Sequence, residues 1–459
     1  MLTYQDYEKV RDTDKEKAEF IERVIYEHRR SDEVKMALEA DEYYAQRNVT
    51  ITKYAKVLYT AKGEAVKDFT AADNRIASNF FFTMNTRRCT YSLGNGVEFD
   101  EKSTKEKLGL RFDTILKNAA DYALIHGCVF LMWNLDHVNW FKLTEFAPLV
   151  DEYTGALRAG VRYWQLEDKK PLIAVFYEED GYTEFVKEKN DPMRIKSEKR
   201  AYKLTYAKAP ADTQAEVVSA ENYGALPIVT LWGSKLHQST LVGLKRSIDA
   251  YDLIRSGFAN DLQECAQIYW ILENYGGMKD SDVEQFRDRL KLQHIATADT
   301  SDGGRVTPHT MEVPHEANVK FLTEIRAGMY EDFGLMDLRT LSASATNDHI
   351  TAAYQAQNDM ADDFEYQVID AVQSMLALLG IEDTPQFKRG QIINTKETVE
   401  TLVMEAGLVD LPPEMLLKHF PNFTPEQVMQ ALEYVLEMGS QKIVRKPTEE
   451  NEGSGDGEA

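Results

Sequence analysis

Acidic side chains are the residues in this sequence whose spacing could support metal-dependent chemistry. Asp359, Asp362, Asp363 and Glu365 lie close together on one predicted helix. Paired carboxylates can hold a catalytic Mg²⁺ ion. A solvated helix face is the commoner origin of such a run, and acidic residues occur throughout the chain. A metal-dependent nuclease therefore remains only an alternative hypothesis.

Two histidines beside a proline, His309 and His315, are the other candidates for metal ligands. Their spacing matches neither one face of a helix nor a zinc finger, so the pattern favours exposed loop residues. The sequence has no Walker A motif, dinucleotide-binding glycine motif, GxSxG turn or HExxH pair. We therefore expect no enzyme activity, no cofactor and no bound metal.

The composition describes a folded protein with a strongly acidic surface. Of 459 residues, 43% are hydrophobic and 28% are charged, and the net charge is −23. This charge opposes tight binding of nucleic-acid phosphates but suits a surface along which a polyanion passes. Cys89, Cys128 and Cys265 lie far apart, which argues against a disulfide framework or structural zinc. No apolar run is long enough for a membrane span, and the charged start lacks a signal sequence.

The amino-terminal half reads as helices followed by a β-rich segment. Residues 5–47 and 71–122 are predicted to be helical. Ile76, Phe80, Met84 and Arg88 recur every four residues, which predicts a helix over 74–90, and Leu93-Gly94-Asn95-Gly96 predicts its end. Short runs rich in β-branched and aromatic residues then predict strands over about 127–232.

The second half reads as two helices that flank a small α/β insertion. Apolar residues recur at helical spacing from Thr240 and again from His315 to Met329. Between them, IYWILEN, HIATAD and RVTPHTMEV predict strands, Gly276-Gly277 a turn, and Ser281 the cap of a short helix. A polar loop is predicted at 338–348, a long helix at 349–379, and helices at 395–439 before a disordered acidic tail. Such a stalk with a domain at its tip suits a ring of packed stalks.

These segments together resemble the portal (head-to-tail connector) proteins of long-tailed bacteriophages, in the subgroup with a compact body. The resemblance covers most of residues 35–435 in the family's order. It is carried by EYYAQRNVTI (42–51), NRIASNFFFTMNTRRCTYSLGNGVEF (74–99), ALIHGCVFLMW (123–133), the segment from YGALPIVTLW to FANDLQE (223–264), and LSASATNDHITAAYQ (341–355). Asn95-Gly96 departs from the family, where Gly-Glu-Pro or Gly-Lys-Pro is common.

The resemblance implies an α+β portal architecture, mostly helical and assembled as a ring. Its parts are a β-rich wing (1–238), stem helix 1 (239–263), a small α/β clip (264–314), stem helix 2 (315–334), a tunnel loop (335–347), a long helix that returns to the wing (348–389), a helical crown (390–440) and a disordered acidic tail (441–459). On this reading the helix at 74–90 belongs to the wing core. Arg87 and Arg88 would face solvent or pair with nearby acids.

The resemblance also implies a function. The chain would form a ring of about twelve copies at the portal vertex of the capsid, as part of a virion made in the bacterial cytoplasm. Double-stranded DNA would pass through it without sequence specificity, during packaging by the terminase and again during ejection. The implied partners are the large terminase subunit, the major capsid and scaffolding proteins, and a neck adaptor; no membrane is involved. Another ring-forming capsid or neck protein remains the first alternative.

The site residues implied by the resemblance fall into three groups. The tunnel loop that would contact DNA contains Arg339, Thr340, Ser342, Ser344 and Asn347. Lys320 and Arg326 on stem helix 2 are further cations near the channel, although ordinary solvated or ion-paired roles fit them and Arg339 equally. Leu244, Ile248, Tyr251, Leu322 and Ile325 would pack the stem. Tyr275, Lys279, Arg287 and Lys291 would form the partner-binding surface of the clip.

Overall fold

The computed structural model describes residues 2–59, 63–67, 72–189, 191–206, 217–265, 269–273, 284, 305–309, 315–337, 339, 347–390, 399–404, 428–432 and 434. The chain divides into two compact units. The first comprises Met1–Gly334 and Ala361–Arg389, and the second comprises Leu335–Met360 and Gly390–Ala459. Helices and strands are both abundant, which confirms a mixed α+β fold.

The amino-terminal region is helical, as predicted for residues 5–47. It contains α1 (Tyr4–Glu8), α2 (Asp14–His28), α3 (Asp32–Tyr44) and α4 (Val49–Lys53). Side-chain caps fix two of the starts, because Thr3 and Asp6 form a capping box at α1 and Ser31 accepts a hydrogen bond from the Val34 amide at α3. The strands β1 (Val57–Tyr59) and β2 (Ala65–Lys67) follow as an antiparallel pair.

The helix predicted over 74–90 begins six residues later than its apolar spacing indicates. The structure has α5 at Phe80–Leu93, and residues 72–79 are neither helix nor strand, so Ile76 lies outside the helix. The predicted end is correct: Gly94 is the C-cap, and Gly96 has the left-handed φ of 76° that favours glycine. The region continues with β3 (Val97–Glu98), α6 (Lys102–Leu108) and α7 (Phe112–His126).

The predicted β-rich segment is confirmed and consists of antiparallel sheets. Its strands are β4 (Cys128–Asn134), β5 (His137–Lys142), β6 (Phe146–Val150), β7 (Leu157–Trp164), β8 (Leu172–Glu178), β9 (Gly181–Lys187), β10 (Arg194–Arg200), β11 (Lys203–Tyr206), β12 (Val217–Glu221) and β13 (Ile228–Trp232). One sheet has the order β13-β4-β5, and a larger one has the order β10-β9-β8-β7-β6. Helix α2 packs its apolar face on the larger sheet, where Ile21, Ile25 and Phe176 share a core.

The two predicted stalk helices are present as α8 (Leu241–Cys265) and α9 (His315–Asp332). Between them, β14 (Tyr269–Glu273) pairs antiparallel with β15 (Arg305–His309). The histidine prediction was wrong, since His309 ends a strand and His315 begins a helix rather than lying in a loop. The predicted turn at 276–277, the helix capped by Ser281 and the strand HIATAD lie outside the described residues.

The long helix predicted at 349–379 is two helices, α10 (Asn347–Ala353) and α11 (Gln355–Leu378), separated at Tyr354. Because α10 begins at Asn347, the end of the predicted polar loop is helical. β16 (Gln386–Phe387) then pairs with β3. In the carboxy-terminal region, residues 399–404, 428–432 and 434 are helical. Across the described ranges, no helix is long and apolar enough to cross a membrane.

Candidate functional site at the stem helices

The start of α8 is held on the end of α7 by main-chain contacts. Gly127, which follows α7, has a φ of 94°, and a Cβ atom there would lie 2.9 Å from the main chain of Gln238. Glycine therefore permits this close approach. The Thr240 amide donates to the Leu124 carbonyl (3.0 Å), and the Ser239 hydroxyl donates to the Ile125 carbonyl. These bonds fix the point where α8 begins against the end of α7.

The residues predicted to pack the stem lie on α8 and α9 and differ in their burial. Leu244 and Ile248 are buried, whereas Tyr251 is half-buried and packs edge-to-face on Phe80 of α5 (5.0 Å between ring centroids). Leu322 and Ile325 on α9 are half-buried. The predicted packing residues in the first turns of α8 are therefore more buried than those on α9.

A charged cluster binds the first half of α8 to the amino-terminal helices. Asp249 accepts hydrogen bonds from the Tyr43 hydroxyl and from Lys245 Nζ (2.8 Å). Lys245 also lies 3.6 Å from a carboxylate oxygen of Glu39. Burial and the bond to Asp249 raise the pKa of Tyr43, so the phenol remains a donor. These directional bonds fix the orientation of α8 against α3.

The end of α9 is held by Arg88, a side chain for which the sequence predicted solvent exposure or an acidic partner. That prediction was wrong: Arg87 is exposed, but the Arg88 guanidinium donates to the Phe333 carbonyl and lies 3.8 Å from the centroid of the Phe333 ring. Burial lowers the pKa of Arg88 to about 10, against the opposing effect of Asp363. A cation that meets both the last carbonyls and an aromatic face stabilises a helix C-terminus.

Few residues of the predicted tunnel loop lie in the described part of the chain. Arg339 is exposed in a turn, and its amide donates to Asp337 Oδ1 (3.2 Å). Asn347 begins α10 instead of lying in the loop. Thr340, Ser342 and Ser344 lie outside the described residues. Exposure leaves the Arg339 side chain able to meet an external anion.

The two further cations on α9 have different surroundings. Lys320 is exposed. Arg326 is half-buried, with its guanidinium 4.8 Å from the Tyr330 ring centroid and 5.8 Å from that of Phe80. Arg326 therefore packs within this chain, and Lys320 is the better placed of the two to meet solvent ions.

Of the predicted clip, 264–314, the structure describes residues 264–265, 269–273, 284 and 305–309. The ladder between β14 and β15 runs from the pair Tyr269–His309 to the pair Glu273–Arg305. The predicted partner-binding residues Tyr275, Lys279, Arg287 and Lys291 lie outside the described residues. Glu273 and Arg305 therefore lie side by side at one end of this ladder.

The acidic run on α11 is engaged in ion pairs and hydrogen bonds. Arg389 binds both oxygens of Glu365 (3.0 and 2.8 Å) and also Asp362, and these carboxylates raise its pKa. Asp363 lies 3.9 Å from Lys235 Nζ, and Asp359 accepts from Gln355 Nε2 (3.0 Å). Among the residues that the structure describes, no group of three or more His, Cys, Asp or Glu side chains is arranged to hold a metal. The arrangement gives the nuclease hypothesis no support.

A cavity of about 900 Å³ lies in the body beside the start of α8. Its lining includes Trp232, Leu236 and Val242, together with two buried histidines that sequence reasoning did not single out, His28 and His126. His28 Nδ1 lies 2.9 Å from the Tyr163 hydroxyl and His126 Nε2 lies 2.9 Å from Asp41. The other ring nitrogen of each histidine has no hydrogen-bond partner in the described structure.

Burial of His28 predicts a pH dependence of stability. Burial lowers its pKa from 6.5 to about 4. Between these values the unfolded chain binds a proton that the folded chain does not, so stability falls as pH drops from 6.5 towards 4, by at most about 3 kcal/mol. Urea unfolding of wild type and His28→Asn at several pH values should show a smaller loss in the variant, with the difference at pH 7.5 as the baseline. Parallel curves would contradict this role.

The family model and the relatives that match this chain are all phage portal proteins. A family model described as phage portal protein, SPP1 Gp6-like, matches residues 23–442, which includes the span 35–435 where the sequence resemblance lies. The chain is 26% identical over 416 residues to the portal protein of Clostridium phage phiCD119, covering 84% of this chain and 88% of the relative. It is 23% identical over 336 residues to the portal protein of Bacillus phage SPP1, covering 68% of this chain and 63% of that protein.

Proposed function

The chain belongs to the SPP1 Gp6-like family of phage portal proteins, and from this membership we propose that twelve copies form a ring that serves as the DNA channel at one vertex of the capsid. Portal proteins are structural components of the virion, and the family points to a structural role rather than to catalysis. The match over residues 23–442 is the observation that carries the proposal, because it includes most of the predicted wing and all of the predicted stem and clip.

Exposed apolar side chains on the stem helices support assembly into a ring. Leu262 on α8 and Phe321 on α9 are 50% and 53% exposed, and Val319 is exposed as well. Apolar surface left open on a helix pair is typical of a contact with another chain. Neighbouring stems packed side by side would cover these residues.

The charge of the assembly suits passage of DNA rather than tight binding. A ring of twelve chains would carry about 12 × −23 = −276 charges. Such a wall repels phosphates, so the few cations that face the channel have a disproportionate influence on DNA. In the proposed assignment, α8 and α9 are stem helices 1 and 2, and residues 335–347 form the tunnel loop.

The proposed partners follow from the same assignment. The clip, 264–314, docks the large terminase subunit, which supplies the ATPase activity, and later the neck adaptor. The wing, 1–238 with 348–389, meets the major capsid and scaffolding proteins. The crown is assigned to residues 390–440. The ring nucleates head assembly at its vertex, and DNA is packaged and later ejected through it.

Replacing Arg339 by Glu tests the proposed role of the tunnel loop. In packaging reactions with purified heads and terminase, wild type should protect DNA from nuclease, and heads assembled without the chain should protect none. Arg339→Glu should form normal rings but lower the protected DNA severalfold, because twelve cations that meet phosphate become twelve anions. Arg339→Lys, which retains the charge, should package normally.

The dependence of packaging on salt concentration makes this test more specific. Contacts between an exposed cation and phosphate are screened, so the difference between Arg339→Glu and wild type should shrink as salt increases. Equal packaging by the two proteins at every salt concentration would show that this arginine does not handle DNA. Absence of protected DNA with wild type in an otherwise active reaction would contradict the portal function itself.

A further inference from the structure

Residues 72–79 lie against α8 and donate alternate main-chain amides to its side chains. The Asn74 amide donates to Asn260 Oδ1 (2.7 Å), the Ile76 amide to Ser256 Oγ (3.0 Å), and the Ser78 amide to Asp252 Oδ1 (2.9 Å). We call residues 72–79 the strap and these three bonds the ladder. The strap therefore runs antiparallel to the first stem helix.

The spacing of the donors along the strap matches the spacing of the acceptors along α8. Its donors are two residues apart, the period of an extended chain, and its acceptors are four residues apart, which places them on one helix face. Two extended residues rise by about 6.7 Å and four helical residues by about 6.0 Å, so successive bonds remain nearly in phase. A shift of the strap by one residue would turn all three amides away from α8. The ladder therefore specifies one register.

The buried end of the ladder is joined to the rest of the body. Asp252 and Ser256 are buried, with Asp252 fully inaccessible to solvent. Asp252 Oδ2 also accepts from the side-chain amide of Asn48, and that amide donates to the Ser78 carbonyl (3.1 Å). Asn48 is the N-cap residue of α4. A buried carboxylate that lost these donors would be strongly destabilised, so alternative registers are disfavoured.

The open end of the ladder has a second bond. The Asn74 side-chain amide donates to Gln263 Oε1 (2.9 Å), one turn beyond Asn260 near the end of α8. The strap therefore accompanies α8 from Asp252 to Gln263, beyond the apolar contacts of Leu244 and Ile248. Along this length polar bonds with fixed directions hold the helix, and such bonds resist rotation and sliding more than apolar contacts do.

We propose that Asp252, Ser256 and Asn260 are positioning residues that set the rotation and axial height of the first stem helix on the strap. The inference rests on the proposed portal function, because α8 would be part of the channel wall and would carry the clip. Weakening the ladder loosens the outer part of the stem while the body keeps its fold. The expected consequence is inefficient DNA passage through rings that still assemble.

Ser256→Ala tests this role, because it removes the acceptor of the Ile76 amide while changing little volume. Ser256→Thr keeps the hydroxyl, and Ser247→Ala makes the same substitution on α8 at a residue outside the ladder. In hydrogen–deuterium exchange, amides of the strap should exchange roughly two- to tenfold faster in Ser256→Ala and at the wild-type rate in both controls. Asn260→Ala should give a similar change at Asn74.

Packaging distinguishes a positioning role from a purely structural one. Ser256→Ala should form rings with normal exchange in α2 and β8 but package severalfold less DNA, with recovery in Ser256→Thr. Unchanged strap exchange in Ser256→Ala would overturn the ladder, and loss of protection throughout the body would overturn a positioning role. The exchange result stands even if wild type proves not to package DNA, so failure of this inference is distinguishable from failure of the proposed function.

Discussion

Assembly is expected to fail when Ile248 of α8 is replaced by Asp. Ile248 is fully buried, and Leu244 one turn earlier on the same face of α8 is buried as well. A carboxylate at this position would be buried without a partner, which costs several kcal/mol. The variant should elute as monomer or aggregate in chromatography with light scattering, and wild type should elute as a large assembly.

Two control variants separate burial from charge. Ile248→Val keeps an apolar side chain and should cost about 1 kcal/mol, with assembly retained. Val242→Asp places the same charge at an exposed position in the first turn of α8, where a carboxylate is tolerated by the helix dipole, and it should fold. Normal assemblies from Ile248→Asp would show that this face of α8 is not an essential part of the core.

Removal of the clip should abolish binding of the large terminase subunit while leaving the stem intact. Because Glu273 and Arg305 are paired in an antiparallel ladder, residues 274–304 can be replaced by Asn-Gly, which closes such hairpins. The replacement removes Tyr275, Lys279, Arg287 and Lys291 together. Rings should still be visible by electron microscopy, and a pull-down should recover no terminase.

A charge-reversal variant makes the clip experiment more specific. Lys279, Arg287 and Lys291 changed together to Glu should weaken terminase binding, and the effect should be largest at low salt if the contact is electrostatic. Full terminase binding by the clip-less rings would place the docking surface elsewhere on the chain. Loss of rings in the clip-less protein would instead assign an assembly role to the clip.

The sequence predicts best those elements whose own residues determine them. Helix α8 was predicted because apolar residues recur along it at helical spacing, and Gly96 marked the turn after α5 because its conformation favours glycine. The strap was missed for the opposite reason. Ile76 has helical spacing to Phe80, but the amides of residues 74, 76 and 78 are bonded to side chains 174 to 186 residues later. A local pattern cannot reveal such partners.

Other features of the structure also carry no clear signal in the local sequence. Strand β10 falls within the predicted β-rich segment, but its own residues are mostly charged and have low strand propensity, so its pairing with β9 decides its conformation. Arg88 looks like an ordinary surface cation in sequence, yet its partner is the main chain of Phe333 at the end of α9. The separation between α10 and α11 at Tyr354 carries neither proline nor glycine, so no local signal marks it.

The proposed function depends most directly on the ring, and electron microscopy of the purified protein tests whether the ring forms. Images averaged by rotational symmetry should show a closed ring with a central hole and twelve subunits, or a neighbouring number in isolated protein. The corresponding mass for twelve chains is about 12 × 52.4 = 629 kDa. A stable monomer of 52.4 kDa at micromolar concentration and moderate salt, with no ring in the images, would contradict the proposed function.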